Sequence, residues 1–122
     1  MPVQKDLSIW KGNSTPQVFR FKTRQLDGSL LPLDLTGSVL VFRAVWVDEN
    51  GDPESLRLES PNQALSVTDP AGGELVLQLG VANTRLLPTG QKARYEIERR
   101  IAGEQRTLAY GTLKVSEWAN DD

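Results

Sequence analysis

The chain has 122 residues, a net charge of −2, and neither cysteine nor histidine. That length suits one domain with a single hydrophobic core. The composition excludes disulfides, thiolate and imidazole metal sites, and Ser-His-Asp or Cys-His nucleophile systems, leaving only carboxylate, lysine or tyrosine chemistry.

A pI near 5.2 with interspersed charges supplies no bulk attraction to nucleic acid or anionic lipid. The opening Met1-Pro2-Val3-Gln4-Lys5-Asp6 has no apolar stretch, and no apolar run is long enough to span a bilayer. A soluble chain without an export signal is expected.

The first strand is expected over 6–11, with Leu7 and Ile9 on one face and Ser8 and Trp10 on the other. Gly12-Asn13-Ser14 ends it. From Pro16 to Thr23, Phe19 and Phe21 alternate with Val18, Arg20 and Lys22, the period of a half-buried strand. Residues 25–37 are turn-rich, with Asp27-Gly28, Pro32 and Asp34-Leu35-Thr36-Gly37.

Residues 38–47 form the most apolar stretch: Leu40, Phe42, Ala44 and Trp46 at even positions, and Val39, Val41, Arg43, Val45 and Val47 at odd ones. Its valines favour a pleat over a helix. Both faces are apolar except at Arg43, so each needs a cover. The second cover is either a loop or helix of the same chain or a neighbouring subunit.

Asp48-Glu49-Asn50-Gly51-Asp52-Pro53 reads as a hairpin turn, carried by Asn50-Gly51. Weaker strands follow over 54–59 and 63–67, separated by Ser60-Pro61-Asn62. The turn Asp69-Pro70-Ala71-Gly72-Gly73 leads into a strand over 74–79. One helical turn is expected over 81–87, too short to sustain a longer helix.

Two long strands over 91–101 and 105–115 meet at Ala102-Gly103-Glu104. In the second, apolar parity is even at Leu108 and Tyr110 but odd at Leu113 and Val115, which predicts a β-bulge or sharp twist at Gly111. The pattern predicts one all-β domain over 1–122, an immunoglobulin-like antiparallel sandwich of seven or eight strands with at most one helical turn.

Four residue groups invite a chemical reading. Asp48, Asn50, Asp52 and Glu59 have EF-hand spacing, but Pro53 stands where that loop needs glycine and the flanks are strands, so a solvated hairpin tip is the better account. Glu96 and Glu98 share a strand face about 7 Å apart, a separation compatible with inverting glycoside hydrolysis. Their same-face neighbours Arg94 and Arg100 make this an alternating charge ladder.

Arg94, Arg99, Arg100, Arg106 and Lys114, with Tyr95 and Tyr110, concentrate positive charge on the final hairpin. Glu96, Glu98 and Glu104 dilute that charge, favouring a protein interface over a nucleic-acid platform. Among the tryptophans, Trp46 is assigned to the core and Trp118 to pinning the chain end, anchoring a partner or stacking on a sugar, while Trp10 and Trp118 are the aromatics available to a carbohydrate-binding face. Walker A and GxGxxG motifs are absent. No catalytic, cofactor-binding or metal residue is assigned.

An ordered set of segments carries a resemblance. It comprises Asp34-Leu35-Thr36-Gly37 before Val39-Leu40-Val41-Phe42-Arg43, then Asp69 to Gly73 with Glu74-Leu75-Val76-Leu77, and Thr84 with Leu86-Leu87-Pro88-Thr89-Gly90. Tyr95-Glu96-Ile97-Glu98-Arg99 and Gly111-Thr112-Leu113-Lys114-Val115 complete it. In this order the chain resembles small β-sandwich structural proteins of tailed bacteriophages and prophages, including N-terminal domains of baseplate and tail-fibre-associated proteins.

The resemblance implies a non-catalytic virion module docking in a tail, baseplate or fibre-attachment site. It assigns no functional residue. Several relatives are N-terminal domains of longer chains, whereas this sequence stops at Asp122, which favours an adaptor over a receptor-binding role. The implied partners are other virion proteins and further copies of the chain, without nucleic acid, membrane or cofactor. The implied location is the virion, and the host bacterial cytoplasm during assembly. A carbohydrate- or small-ligand-binding sandwich is the alternative reading, and an exposed aromatic row on one sheet face is the feature it requires.

Overall fold

The computed structural model describes residues 2–61 and 64–117. In chain order the strands are β1 (Val3–Gln4), β2 (Leu7–Trp10), β3 (Gln17–Arg20), β4 (Lys22–Arg24), β5 (Leu30–Pro32) and β6 (Val39–Val47). After them come β7 (Pro53–Glu59), β8 (Leu65–Asp69), β9 (Glu74–Leu77), β10 (Gly90–Ile101) and β11 (Glu104–Ser116). One helix, α1 (Val81–Leu86), forms where the helical turn is expected. Among the described residues no helix is long and apolar enough to cross a membrane.

The larger sheet runs β1-β11-β10-β6-β7, with β2 also pairing β11; the smaller runs β3-β9-β8. The strand order is immunoglobulin-like: β6, β10 and β11 take the places of strands C, F and G, and β3, β9 and β8 those of B, E and D. The expected all-β sandwich therefore forms, with eleven strands among the described residues rather than seven or eight.

The additional strands are short. The strand expected over 16–23 divides at Phe21 into β3 and β4, and β4 pairs with β5, which forms within the segment expected to be only turns, as a separate two-stranded ribbon. All six residues of β4 and β5 are exposed, so no buried face imposes a period-two apolar signal on the sequence. Strict antiparallel pairing also fails at one edge. β1 and β2 run parallel to β11, with Val3 opposite Ala109 and Leu7 opposite Leu113.

The core lies between the two sheets and is pinned by aromatic rings. Phe42 of β6 stacks on Tyr95 of β10 at 5.7 Å between centroids, and Phe19 of β3 meets the same tyrosine at 6.5 Å. Antibody domains join B to F with a disulfide packed against a tryptophan on C. Here Phe19, Tyr95 and Phe42 bridge those three strands without cysteine.

The Tyr95 hydroxyl donates to the Lys5 carbonyl, in the short crossing between β1 and β2. Burial first, and the Asp6 carboxylate second, push the phenol pKa up to about 12. Lys5 also donates its own N–H to the Tyr110 carbonyl and lays its ammonium 4.8 Å from the Phe19 ring centroid. This residue joins the edge of the larger sheet to the smaller one.

The parity change in β11 occurs at a different residue from the one expected. Gly111 pairs in register with Tyr95, and the irregularity falls between Ile97 and Glu98, which face Ala109 and Thr107. Leu108 is the extra residue, so Leu108 and the adjacent Ala109 are both buried. Tyr110 is 43% exposed and belongs to the outer face. Its apolar ring made the parity appear to break later than it does. Gly111 is needed because a Cβ there would collide with the Lys5 backbone. The Asp6 carboxylate then accepts the Thr112 N–H at 3.0 Å, which bridges the break between β1 and β2.

Gly111→Ala should destabilise the fold by about 1–3 kcal/mol through overpacking against fixed backbone, measured by urea denaturation. Tyr95→Phe should cost about 0.5–1.5 kcal/mol by removing the hydrogen bond from the hydroxyl to the Lys5 carbonyl. The same variant tests the raised pKa. The folded chain keeps a phenolic proton that the unfolded chain gives up above pH 10, so wild-type stability should fall as pH rises from 10 to about 12. Tyr95→Phe should lack that component of the alkaline loss.

Candidate functional site

The outer face of the larger sheet brings together the two surfaces singled out in the sequence, the apolar strand and the final hairpin. Strands β6 and β10 pair antiparallel, with Val45 opposite Arg94 and Arg43 opposite Glu96. Across β10, Glu96 faces Tyr110 and Arg94 faces Thr112. On the other flank Arg43 faces Arg57 and Val45 faces Ser55. Two cross-strand rows result, one running Gln4-Tyr110-Glu96-Arg43-Arg57 and the next Thr112-Arg94-Val45-Ser55.

The apolar strand is covered in two ways. Its even side, Leu40, Phe42 and Ala44, is fully buried in the core, and Trp46 packs against that core from partial burial. On the odd side Val41 is buried between its register partners Glu98 and Glu59. Glu98 binds Arg100 at 3.2 Å and Glu59 binds Arg57 at 3.1 Å, so two ion pairs of the chain itself flank Val41. Val45 and Val47, further along, are 42% and 59% exposed. The outer face is thus closed by ion pairs at one end and open at the other.

The open end is concave. A groove of about 830 Å³ is lined by Gln4, Arg43, Val45, Arg94, Glu96 and Tyr110, among others. A neighbouring groove of about 880 Å³ shares Arg43, Val45 and Arg94 and extends to Val47, Pro53 and Lys92. Among the described residues neither Arg43 nor Arg94 makes an ion pair or side-chain hydrogen bond, unlike Arg57 and Arg100 on the same sheet. The surface offers an apolar strip of Val45 and Val47 along β6 and, across Arg94 and Glu96 of β10, the Tyr110 ring on β11, beside two guanidinium groups with unused donors. That combination suits a partner surface carrying apolar side chains and carboxylates.

The other candidate groups separate. The Asp48 carboxylate accepts the backbone N–H groups of Asn50 and Asp52, both at 2.9 Å, and so caps its own turn. Glu59 lies at the far end of β7, and no group of three potential metal ligands occurs among the described residues. Glu96 and Glu98 share the outer face as expected, with Glu98 committed to Arg100. Arg99 instead reaches the Ser38 hydroxyl and the Asp34 carbonyl. The cations of the final hairpin therefore do not form one stripe. Trp118 lies outside the described residues.

A second exposed feature escaped the sequence reading. Ribbon β4–β5 closes through Gln25–Ser29, where the Gln25 N–H donates to the Ser29 carbonyl at 2.8 Å. Asp27 accepts both the N–H and the hydroxyl of Ser29, and these bonds hold its carboxyl below the usual range. Gly28, at φ +89°, supplies the left-handed turn residue. The locked tip presents a fully exposed Leu26, with Leu30 and Leu31 each about half exposed. The only hint in the sequence was leucine beside Asp27-Gly28.

No family model matches the chain, and no curated protein matches it. Exposed residues without partners contribute little to stability. Arg43→Ala, Arg94→Ala and Val45→Thr should each change unfolding free energy by no more than about 0.5 kcal/mol in urea denaturation, a sign that the open end is not maintained for folding.

Proposed function

We propose that the chain is a non-catalytic structural or assembly protein of a tailed-phage-type virion, a tail, baseplate or fibre-attachment adaptor working through protein–protein contacts. The ordered segment resemblance suggests the setting. The observation that carries the contact reading is the open end of the outer face, where Val45, Val47 and Tyr110 lie exposed beside Arg43 and Arg94, which form no ion pair among the described residues. An apolar strip rimmed by arginine is the composition of a protein interface rather than of an ordinary solvated sheet face.

A hydrolytic role for Glu96 and Glu98 gains no support from their setting. Both lie on an open sheet face, and Glu98 is engaged by Arg100. Carbohydrate binding calls for a row of exposed aromatics. Trp10 and Tyr110 are exposed, but Trp10 sits opposite Ser116, six positions along β11 from Tyr110, or about 20 Å. They lie too far apart to stack on the same or adjacent sugar rings.

The test is quantitative mass spectrometry of phage-type particles purified from the producing bacterium. The chain should be present at a fixed copy number relative to the other particle proteins. Particles lacking it, with the protein accumulating free in the cell, would overturn the assignment.

A further inference from the structure

The locked hairpin and the open groove are complementary and lie on different parts of the molecule. The hairpin is a knob: Leu26 stands fully exposed at its tip, followed by the Asp27 carboxylate. The groove is a socket: Val45 and Tyr110 give it apolar lining, and Arg43 and Arg94, neither in an ion pair among the described residues, outnumber the one carboxylate of the lining, Glu96. Apolar surface faces apolar surface, and carboxylate faces guanidinium.

Within one copy the two cannot meet. The base of the ribbon is tied to the smaller sheet, where the Phe21 N–H donates to the Gly73 carbonyl, the Leu33 N–H to the Phe21 carbonyl and the Leu35 N–H to the Pro70 carbonyl. The groove opens on the far face of the larger sheet. Among the described residues the ribbon's two strands pair only with each other. A contact between the two features must therefore join separate copies.

We infer that the β4–β5 hairpin of one copy seats Leu26 in the outer-face groove of a second copy, with Asp27 toward Arg43 and Arg94, giving a head-to-tail homo-oligomer. The inference rests on the protein-contact reading above and names the partner as another copy of this chain. Because knob and socket are different patches, a head-to-tail contact is heterologous, and the joined pair keeps one free socket and one free knob for further copies. Joined head to tail rather than by reciprocal exchange between two copies, the chain grows beyond a dimer, into a closed ring where the rotation allows. The tip is preorganised by the Asp27–Ser29 bonds, so little ordering entropy is lost on docking.

The test is light scattering coupled to size-exclusion chromatography over a concentration series reaching about 1 mM, where even a contact smaller than about 1,200 Å² registers. Leu26→Lys alters the knob and Arg94→Glu alters the socket, both at exposed positions, with far-UV circular dichroism confirming the fold. Wild type should form species larger than a dimer, and each variant alone should remain monomeric. An equimolar mixture should give a 1:1 dimer and nothing larger, because only one intact knob and one intact socket remain between two chains.

Wild type that stays monomeric throughout overturns the inference, as does an oligomer that survives either substitution. A mixture that fails to dimerise overturns it as well. None of these outcomes touches the particle-composition test, so the two readings fail separately.

Discussion

The structure depends on a contact between the two sheets made by aromatic rings. Without cysteine, the sandwich has no covalent tie between its B and F strands, and Tyr95 takes that place by packing against Phe19 on one side and Phe42 on the other. Such a ring buries large apolar area while its hydroxyl still requires a partner. The Lys5 carbonyl supplies it, which draws the first residues of the chain onto β11. Gly111 and the parallel pairing of β1 and β2 follow from the same approach, because the chain can reach Tyr95 only by passing over a residue with no side chain.

This arrangement leaves the outer face with a mixed character. At one end, ion pairs along β7 and β10 close over Val41. At the other, Val45 and Val47 have no such cover, and the nearby guanidinium groups have donors to spare. Burying arginine without a carboxylate is costly, whereas leaving it at the rim of an apolar strip costs little until a partner arrives. The β4–β5 ribbon follows similar logic. Its local hydrogen bonds fix its shape, so its leucines can remain exposed without the ribbon losing order.

Much of the fold was legible because buried strands write a period of two into the sequence. Leu7 and Ile9, Phe19, the even residues of β6, and Ala93, Tyr95 and Ile97 all lie inward as the alternation requires. The Asp48–Asp52 hairpin and the helical turn at α1 were equally readable, from turn chemistry and from the lack of sustained periodicity. The misses have local causes. β5 buries neither face and β1 is a two-residue strand with both residues exposed, so neither carries alternation. β4, exposed throughout, merges with β3 in the sequence because the alternation of Phe19 and Phe21 runs on to Lys22. The bulge was misplaced because Tyr110, an outward aromatic, counted as an inward one.

The sequence by itself determined an all-β sandwich, the positions of its principal strands and turns, and the exclusion of cysteine and histidine chemistry. These follow from local rules, namely side-chain period, turn residues and composition. Only the tertiary structure decided which strands became neighbours, and with them the pairing of β6 with β10, the row that sets Val45 beside Arg94, and the reason for Gly111. It also decided which charges found partners: Arg100 and Glu98 are same-strand neighbours and pair, while among the described residues Arg43 and Arg94 form no ion pair, although Glu96 lies opposite the first and two positions from the second. Register and long-range contact set these outcomes, and neither is written in any single stretch of the chain.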